Sequence, residues 1–272
     1  MRVTGLYFSG TGNSSWIAEL IEDEVRKCGH LAHVYSIETT ERKTIVNEFS
    51  NSDLIVFIYP GYGCDMPNIY KEYLLKLNGR LIINGTKAIS IVTSGMYNAD
   101  AALTIKPFCE KMGLDLFGTY EVKMPNNYHS SLPFVKVSNK KEIASLRLSA
   151  QKKTSEIVKN IISNSRVLES NNSFSKVIGI TNRFLGSVLT KDADIFVIEK
   201  LCVSCGRCVN KCPSKNLHIA KENQPVYSLN GCTSCSRCVN NCPVQALRLS
   251  TQKYLKFIDQ YEGITKTNRT SE

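Results

Sequence analysis

Apolar and polar positions in the first 165 residues follow two alternating periods. Short, nearly unbroken apolar runs stand at 3–8, 31–37, 53–59, 87–93 and 114–123. Runs of that length without strict alternation suit strands buried on both faces of a parallel sheet. Between them lie stretches with helical spacing, one running from Ser14 to about Cys28 and another ending near Met112. Five strands alternating with helices predict a doubly wound α/β sheet, in which ligands bind outside the carboxyl ends of the strands. Beyond the sheet, the pattern predicts a lysine-rich helix over 140–163 and a polar break over 165–173. An amphipathic helix is predicted over 174–191, with Phe174, Val177, Ile178, Phe184, Leu185, Val188 and Leu189 at 3–4 spacing. That helix is expected to pack against one of the domains, a membrane-surface or partner-docking face being the alternative. Residues 251–272 read as a short helix and a polar tail.

The C-terminal third carries a different signal. Cys202, Cys205, Cys208 and Cys212 precede Pro213, and Cys232, Cys235, Cys238 and Cys242 precede Pro243. Each is a C-x2-C-x2-C-x3-C-P run, the spacing that holds a cubane [4Fe–4S] cluster through thiolates. Arg207/Arg237, Val209/Val239, Asn210/Asn240 and Leu217/Leu247 repeat at the same thirty-residue offset, which marks a duplicated half-module. Three cysteines on a short turn reach three corners of one cubane, while the cysteine before proline starts from another direction and reaches the other cluster. Cys202, Cys205, Cys208 and Cys242 are therefore assigned to one cluster, and Cys232, Cys235, Cys238 and Cys212 to its partner. Zinc fits poorly because a third cysteine follows each C-x2-C pair. A disulfide framework needs an oxidising compartment, and residues 1–8 have one charge ahead of an apolar strand, unlike an export signal. These runs resemble a bacterial two-cluster ferredoxin domain over residues 194–252.

A second chemical signature follows the first strand. Ser9, Gly10, Thr11, Gly12, Asn13 and Ser14 open a helix, and hydroxyls between glycines suit a nest of backbone N–H donors for a phosphate. There is no G-K-[ST], which disfavours a nucleoside triphosphatase, and the spacing is not G-x-G-x-x-G. The third strand ends in Pro60, Gly61, Tyr62, Gly63 and Cys64, and the fourth in Thr93, Ser94, Gly95, Met96, Tyr97 and Asn98. Residues 1–165 resemble flavodoxin. The run at 9–14 is similar to its FMN phosphate loop, and 60–64 and 93–98 occupy the places of its two isoalloxazine loops. Tyr62 and Tyr97 are the aromatic candidates beside the ring. Cys64 is a candidate for ring contact, or else a small buried hydrophobe. His129 follows the fifth strand on the same side. Trp16 shares a helix face with Leu20 and belongs to the core, Cys28 and Cys109 read as structural, and His30, His33 and His218 show no ligand spacing.

The resemblance as a whole is to the flavodoxin–ferredoxin fusion proteins of clostridia. It implies a flavodoxin-like domain over 1–165, a linker over 166–193, a ferredoxin domain over 194–252 and a tail over 253–272. FMN and two [4Fe–4S] clusters are the implied cofactors. Charge adds a partner. The chain has 34 Lys and Arg against 24 Asp and Glu, and residues 171–272 hold fourteen and seven of these. Arg207, Lys211, Lys215 and Arg237 could attract an acidic redox protein, whereas no aromatic-interleaved basic run points to nucleic acid. Eleven free thiols are expected in a reducing cytoplasm, and oxygen-labile cubanes suggest an anaerobe. No apolar stretch reaches eighteen residues, so no transmembrane helix is expected, and a homodimer stays open. No acid–base or nucleophilic constellation is visible. The expected function is electron transfer between FMN and the clusters. An FMN-dependent reductase fed by its own ferredoxin half and a cluster-based redox sensor are the alternatives.

Overall fold

The computed structural model describes residues 1–77, 85–127, 137–189, 195–219, 225–227 and 231–249. The expectations for His129 and for residues 251–272 lie outside the described residues. Strands β1 (Arg2–Tyr7), β2 (Leu31–Ser36), β3 (Leu54–Pro60), β4 (Lys87–Ser94), β5 (Asp115–Lys123) and β6 (Val167–Leu168) form one parallel sheet. Their order is β2-β1-β3-β4-β5-β6. Its first five strands follow the flavodoxin-like 2-1-3-4-5 order of doubly wound sheets.

The sheet is covered on both faces, as unbroken apolar strands require. Along β3, Ile55, Phe57 and Tyr59 face a core with Ile45 and Phe49 of helix α2 (Arg42–Ser50) and Tyr70 and Leu74 of helix α3 (Asn68–Leu77). Cys109 and Met112 of helix α4 (Lys106–Met112) join that layer, and a 3-10 helix at Ala101–Ile105 leads into α4. Leu54, Val56 and Ile58 face the opposite core, built with Trp16, Ile17, Ile21 and Val25 of helix α1 (Asn13–Lys27). Ile157, Val158 and Ile161 of helix α5 (Lys140–Ile162) complete it. Helix α5 starts on a reciprocal capping box: Asn139 Oδ1 accepts from the Glu142 N–H at 3.0 Å, and Glu142 Oε2 accepts from the Asn139 N–H at 3.0 Å.

The sheet has six strands rather than five. β6 pairs in parallel with β5 through Gly118↔Val167 and Thr119↔Leu168, inside the stretch read as a polar break. Two residues are too short for a period, so its identity comes from the neighbour it pairs with.

Helix α6 (Ser173–Leu189) forms as predicted, but Phe174, Val177 and Phe184 of its apolar stripe are exposed. Ser175 and Gly179, spaced as i and i+4, are buried, and Arg183 at the next i+4 is half-buried. Phe174, Val177, Ile180 and Phe184 are 61–70% exposed. Small side chains let this face approach closely: a Cβ on Gly179 would stand 1.7 Å from Asp100 Oδ1. Among the described side chains, an ion pair and small residues make the contact with the sheet domain.

The remaining elements are short. β7 (Ile195–Val197) pairs antiparallel with β10 (Leu247–Leu249), and β8 (Leu217–Ile219) with β9 (Pro225–Tyr227). Helices α7 (Arg207–Asn210) and α8 (Arg237–Asn240) follow the second cysteine of each run. The duplication reaches the backbone: Ser204 and Ser234 have φ of 51° and 53°, and Lys215 and Gln245 both have 52°.

Candidate cofactor sites

The loop read as a phosphate site sits where β1 gives way to α1, at the carboxyl end of the sheet. Gly12 adopts φ 106°, a left-handed conformation that turns the chain into the helix. The Gly12 N–H donates to Ser9 Oγ at 3.1 Å, and Ser15 Oγ donates to Gly12 O at 2.9 Å. Ser14 Oγ and Thr93 Oγ1 are hydrogen-bonded at 2.7 Å, Asn13 Nδ2 donates to Pro125 O at 2.9 Å, and Asn127 Nδ2 donates to Thr11 Oγ1. The loop is therefore held by strand ends β4 and β5 as well as by itself. The N–H groups of Gly10 and Thr11 have no acceptor among the described residues, and no acidic side chain occupies the first turn of α1. Two orphan donors at a helix N-terminus fit an anionic phosphate.

The two loops read as flanking the flavin ring are brought together. Tyr62–Gly63–Cys64–Asp65 is a tight turn with mutual backbone bonds of 2.9 and 3.1 Å, and Gly63 and Cys64 have φ of 59° and 62°. Cys64 is buried at a left-handed position unusual for a side-chain-bearing residue. Pro60 ends β3, and Gly61 donates to Thr93 O at 3.0 Å. A Cβ on Gly61 would stand 2.2 Å from Asn98 Nδ2, and one on Gly95 2.8 Å from Asn126 Cα, so both glycines permit close approach. Ser94 Oγ donates to Glu121 Oε1 at 2.6 Å. Asn98 Nδ2 is buried with no hydrogen-bond partner, a donor left for a polar ligand edge. Tyr97 is 54% exposed and joined to Ser175 Oγ at 2.8 Å. Tyr62 instead lies over the phosphate loop, and burial followed by neighbouring Cys235 pushes its phenol well above the usual tyrosine range.

Several residues of this region carried no sequence signal. Arg183 donates to Asp100 Oδ1 and Oδ2 at 2.6 and 2.9 Å and to Cys64 O at 2.8 Å, tying α6 to both ring loops. Glu38, just after β2, and Asn127, beyond β5, also enter through long-range contacts alone. Cys28 is exposed, so its structural reading fails, whereas Cys109 is buried and its thiol is pushed up to about 12 by burial. Trp16 is buried in the core as read.

The eight cysteines are free thiols. One small cavity is lined by Cys202, Cys205, Cys208 and Cys242. Cys212 stands near enough to Cys232, Cys235 and Cys238 to act on their thiols electrostatically. Burial is the main cause raising those three thiols, with Cys235 pushed up to about 11, so thiolate ligation there releases protons. The Asn216 N–H donates to Cys212 Sγ and the Ala246 N–H to Cys242 Sγ, both at 3.2 Å and thirty residues apart. Such bonds stabilise a thiolate. Among the described residues, no three His, Cys, Asp or Glu side chains are close enough to share a single ion; a cubane needs its thiolates apart, at its corners.

Residues 201–246 match the 4Fe-4S dicluster domain family. The chain joins a flavodoxin-like fold to a 4Fe-4S dicluster domain. Flavodoxins are among the similar solved structures. That of Streptococcus pneumoniae TIGR4 is 16% identical, covering 57% of this chain and 99% of its own, with a TM-score of 0.38. The two-electron reduced flavodoxin of Megasphaera elsdenii is 22% identical over 56% and 99%, with a TM-score of 0.39. Flavodoxin 2 of Bacillus cereus is 13% identical over 60% and 99%, with a TM-score of 0.45. No curated protein matches the sequence. The fold assignment rests on the strand order described above.

The two cysteine runs of the dicluster domain are not equivalent in this chain. Cys205 and Arg207 are exposed, whereas their counterparts Cys235 and Arg237 are covered by the flavodoxin-like half. Arg237 Nη1 and Nη2 donate to the Glu38 carboxylate, both at 2.7 Å, and its Nε and Nη2 donate to Gly10 O and Ser9 O at 2.7 and 2.6 Å. The expectation that Arg237 joins a basic docking face is thereby corrected. Its carboxylate partner comes from the other half of the chain, where local sequence gives no warning. Arg207, Lys211 and Lys215 remain exposed. Among the described residues, no helix is long and apolar enough to cross a membrane.

Proposed function

We propose that this chain is an electron carrier in which FMN and two [4Fe–4S] clusters exchange electrons with each other and with an acidic redox protein. The observation that carries the reading is the seating of Cys235 against the phosphate loop: a Cβ on Gly10 would stand 3.1 Å from Cys235 Cβ. When bound, FMN supplies one- or two-electron exchange and each cubane supplies one-electron exchange. Gly10 and Thr11 offer N–H groups to the phosphate, with Ser9, Gly12, Asn13 and Ser14 setting the loop's shape. Gly61, Tyr62 and Gly63, with Gly95, Tyr97 and Asn98, frame the ring, and Asn98 Nδ2 offers it a donor. Cys202, Cys205, Cys208 and Cys242 hold one cluster and Cys212, Cys232, Cys235 and Cys238 the other. Arg207, Lys211 and Lys215 form the face for the partner, in a cytoplasmic, anaerobic setting.

Anaerobic purification with iron, sulfide and flavin quantified tests this. About eight iron, eight sulfide and one FMN per chain are expected; about four iron, or zinc in their place, would refute it. A reductase of a small molecule is favoured by one observation, that α6 lies across both ring loops through Arg183 and Ser175. Steady-state reduction of a small acceptor without any protein partner would support that second reading.

A further inference from the structure

The guanidinium of Arg237 ends where the flavin phosphate is expected to begin. Its side chain is 16% exposed and that of Glu38 23%. Burial works against the charge of Arg237, and the Glu38 carboxylate offsets it. The two carbonyls it grips, Ser9 O and Gly10 O, belong to the peptide groups whose other ends are the Gly10 and Thr11 N–H groups. In a planar trans peptide the C=O and N–H point to opposite sides. A cation holding both carbonyls on one side therefore aims both N–H groups to the other, and polarises them as donors. Neither of those amides has an acceptor among the described residues. Further contacts seat the same run: Arg237 Nη1 donates to Lys211 O at 3.1 Å, and Asn240 Nδ2 donates to Asn127 O at 3.2 Å. Gly10 leaves room for nothing larger, since a Cβ there would lie 2.4 Å from Tyr62 Oη and 3.0 Å from Cys235 O.

We propose that Arg237 is a positioning residue that couples phosphate capture to seating of the second cysteine run, making the cluster of Cys212, Cys232, Cys235 and Cys238 the flavin-side cluster. The proposal rests on the FMN reading above. Arg207, its counterpart in the repeat, is exposed and makes no hydrogen bond or ion pair to a flavodoxin-like residue among the described residues, so its cluster is left to face the outside. Because the coupling is a free energy shared by two events, it acts in both directions. Docking of the run strengthens FMN binding, and FMN strengthens docking of the run.

The test uses cluster-loaded full-length protein and measures FMN and riboflavin affinity by flavin fluorescence under anaerobic conditions. Arg237→Gln is expected to weaken FMN about tenfold, the scale of one charge-assisted hydrogen bond. Riboflavin, which lacks the phosphate, should change by less than about twofold on the same reasoning. In the wild type, FMN but not riboflavin should slow amide exchange over Arg237–Asn240. Glu38→Gln, far from the cysteine runs in sequence, should give a smaller loss of the same FMN-selective kind with iron content unchanged. It carries the test if Arg237→Gln loses its clusters. Unchanged FMN affinity in Glu38→Gln and in iron-replete Arg237→Gln would overturn the coupling, as would equal losses for FMN and riboflavin. A wild type that binds no FMN while keeping its iron would instead overturn the flavin reading on which the coupling stands.

Discussion

Replacing Arg183 with methionine removes a charge at the point where α6 crosses the ring loops. Three hydrogen bonds are lost, two to Asp100 at 2.6 and 2.9 Å and one to Cys64 O at 2.8 Å. The Asp100 side chain is 10% exposed and that of Arg183 25%, so the change strands a nearly buried carboxylate without its cation. Breaking a fully buried pair costs about 3–5 kcal/mol; with Arg183 a quarter exposed, the expected loss is about 2–3 kcal/mol. The assay is built into the chain. Trp16 is its single tryptophan and lies in the α1–α5 core, so its fluorescence follows unfolding of the flavodoxin-like half alone. With a urea slope of about 2 kcal/mol per molar, the midpoint should fall by about 1 M. In the double variant Arg183→Met/Asp100→Leu no stranded charge remains. Part of the loss should therefore return, with a coupling of at least about 1 kcal/mol. A single-variant loss below about 0.5 kcal/mol, or a coupling near zero, would refute the role given to this pair.

Two further outcomes follow from the same geometry. Thr11→Val removes the hydroxyl that accepts from Asn127 Nδ2 and should lower FMN affinity by about 1–3 kcal/mol while iron content holds. Fluorescence titration with riboflavin should show a smaller change, and equal sensitivity would count against a phosphate site. Cys212→Ala should damage the cluster of Cys232, Cys235 and Cys238, leaving about four of eight iron. EPR showing loss confined to the cluster of Cys202, Cys205 and Cys208 would overturn the crossed pairing.

Most of the sheet was legible because its signals are local. Buried parallel strands must be apolar throughout, so β1, β3 and β4 are visible as runs. β6 was not legible, because Val167 and Leu168 become a strand only by pairing with Gly118 and Thr119. The orientation of α6 was misread for a related reason. Its apolar spacing is real, but among the described side chains the tie to the sheet domain is made by Arg183, whose partner Asp100 lies 83 residues away in the chain. The loops at 60–64 and 93–98 were visible from their position after β3 and β4, yet Asn98 gains meaning only from its buried, partnerless Nδ2 against Gly61.

The cysteine runs show most plainly what each level decides. Spacing alone predicts that the first three thiols of each run turn toward a common centre, because a chain with two residues between ligands has few ways to arrange them. Repetition determines the pseudo-twofold backbone, down to paired φ values and paired N–H to sulfur bonds. The sequence around α7 and α8 is the same four residues, Arg-Cys-Val-Asn, and predicts one environment for both arginines. Only the tertiary structure separates them, by setting α8 at the carboxyl ends of β1 and β2 while α7 stays clear. Arg207 remains in water, where a cation is stable alone. Arg237 is withdrawn from water, where it must be met by the Glu38 carboxylate and two backbone carbonyls, and no local pattern records a partner 199 residues away.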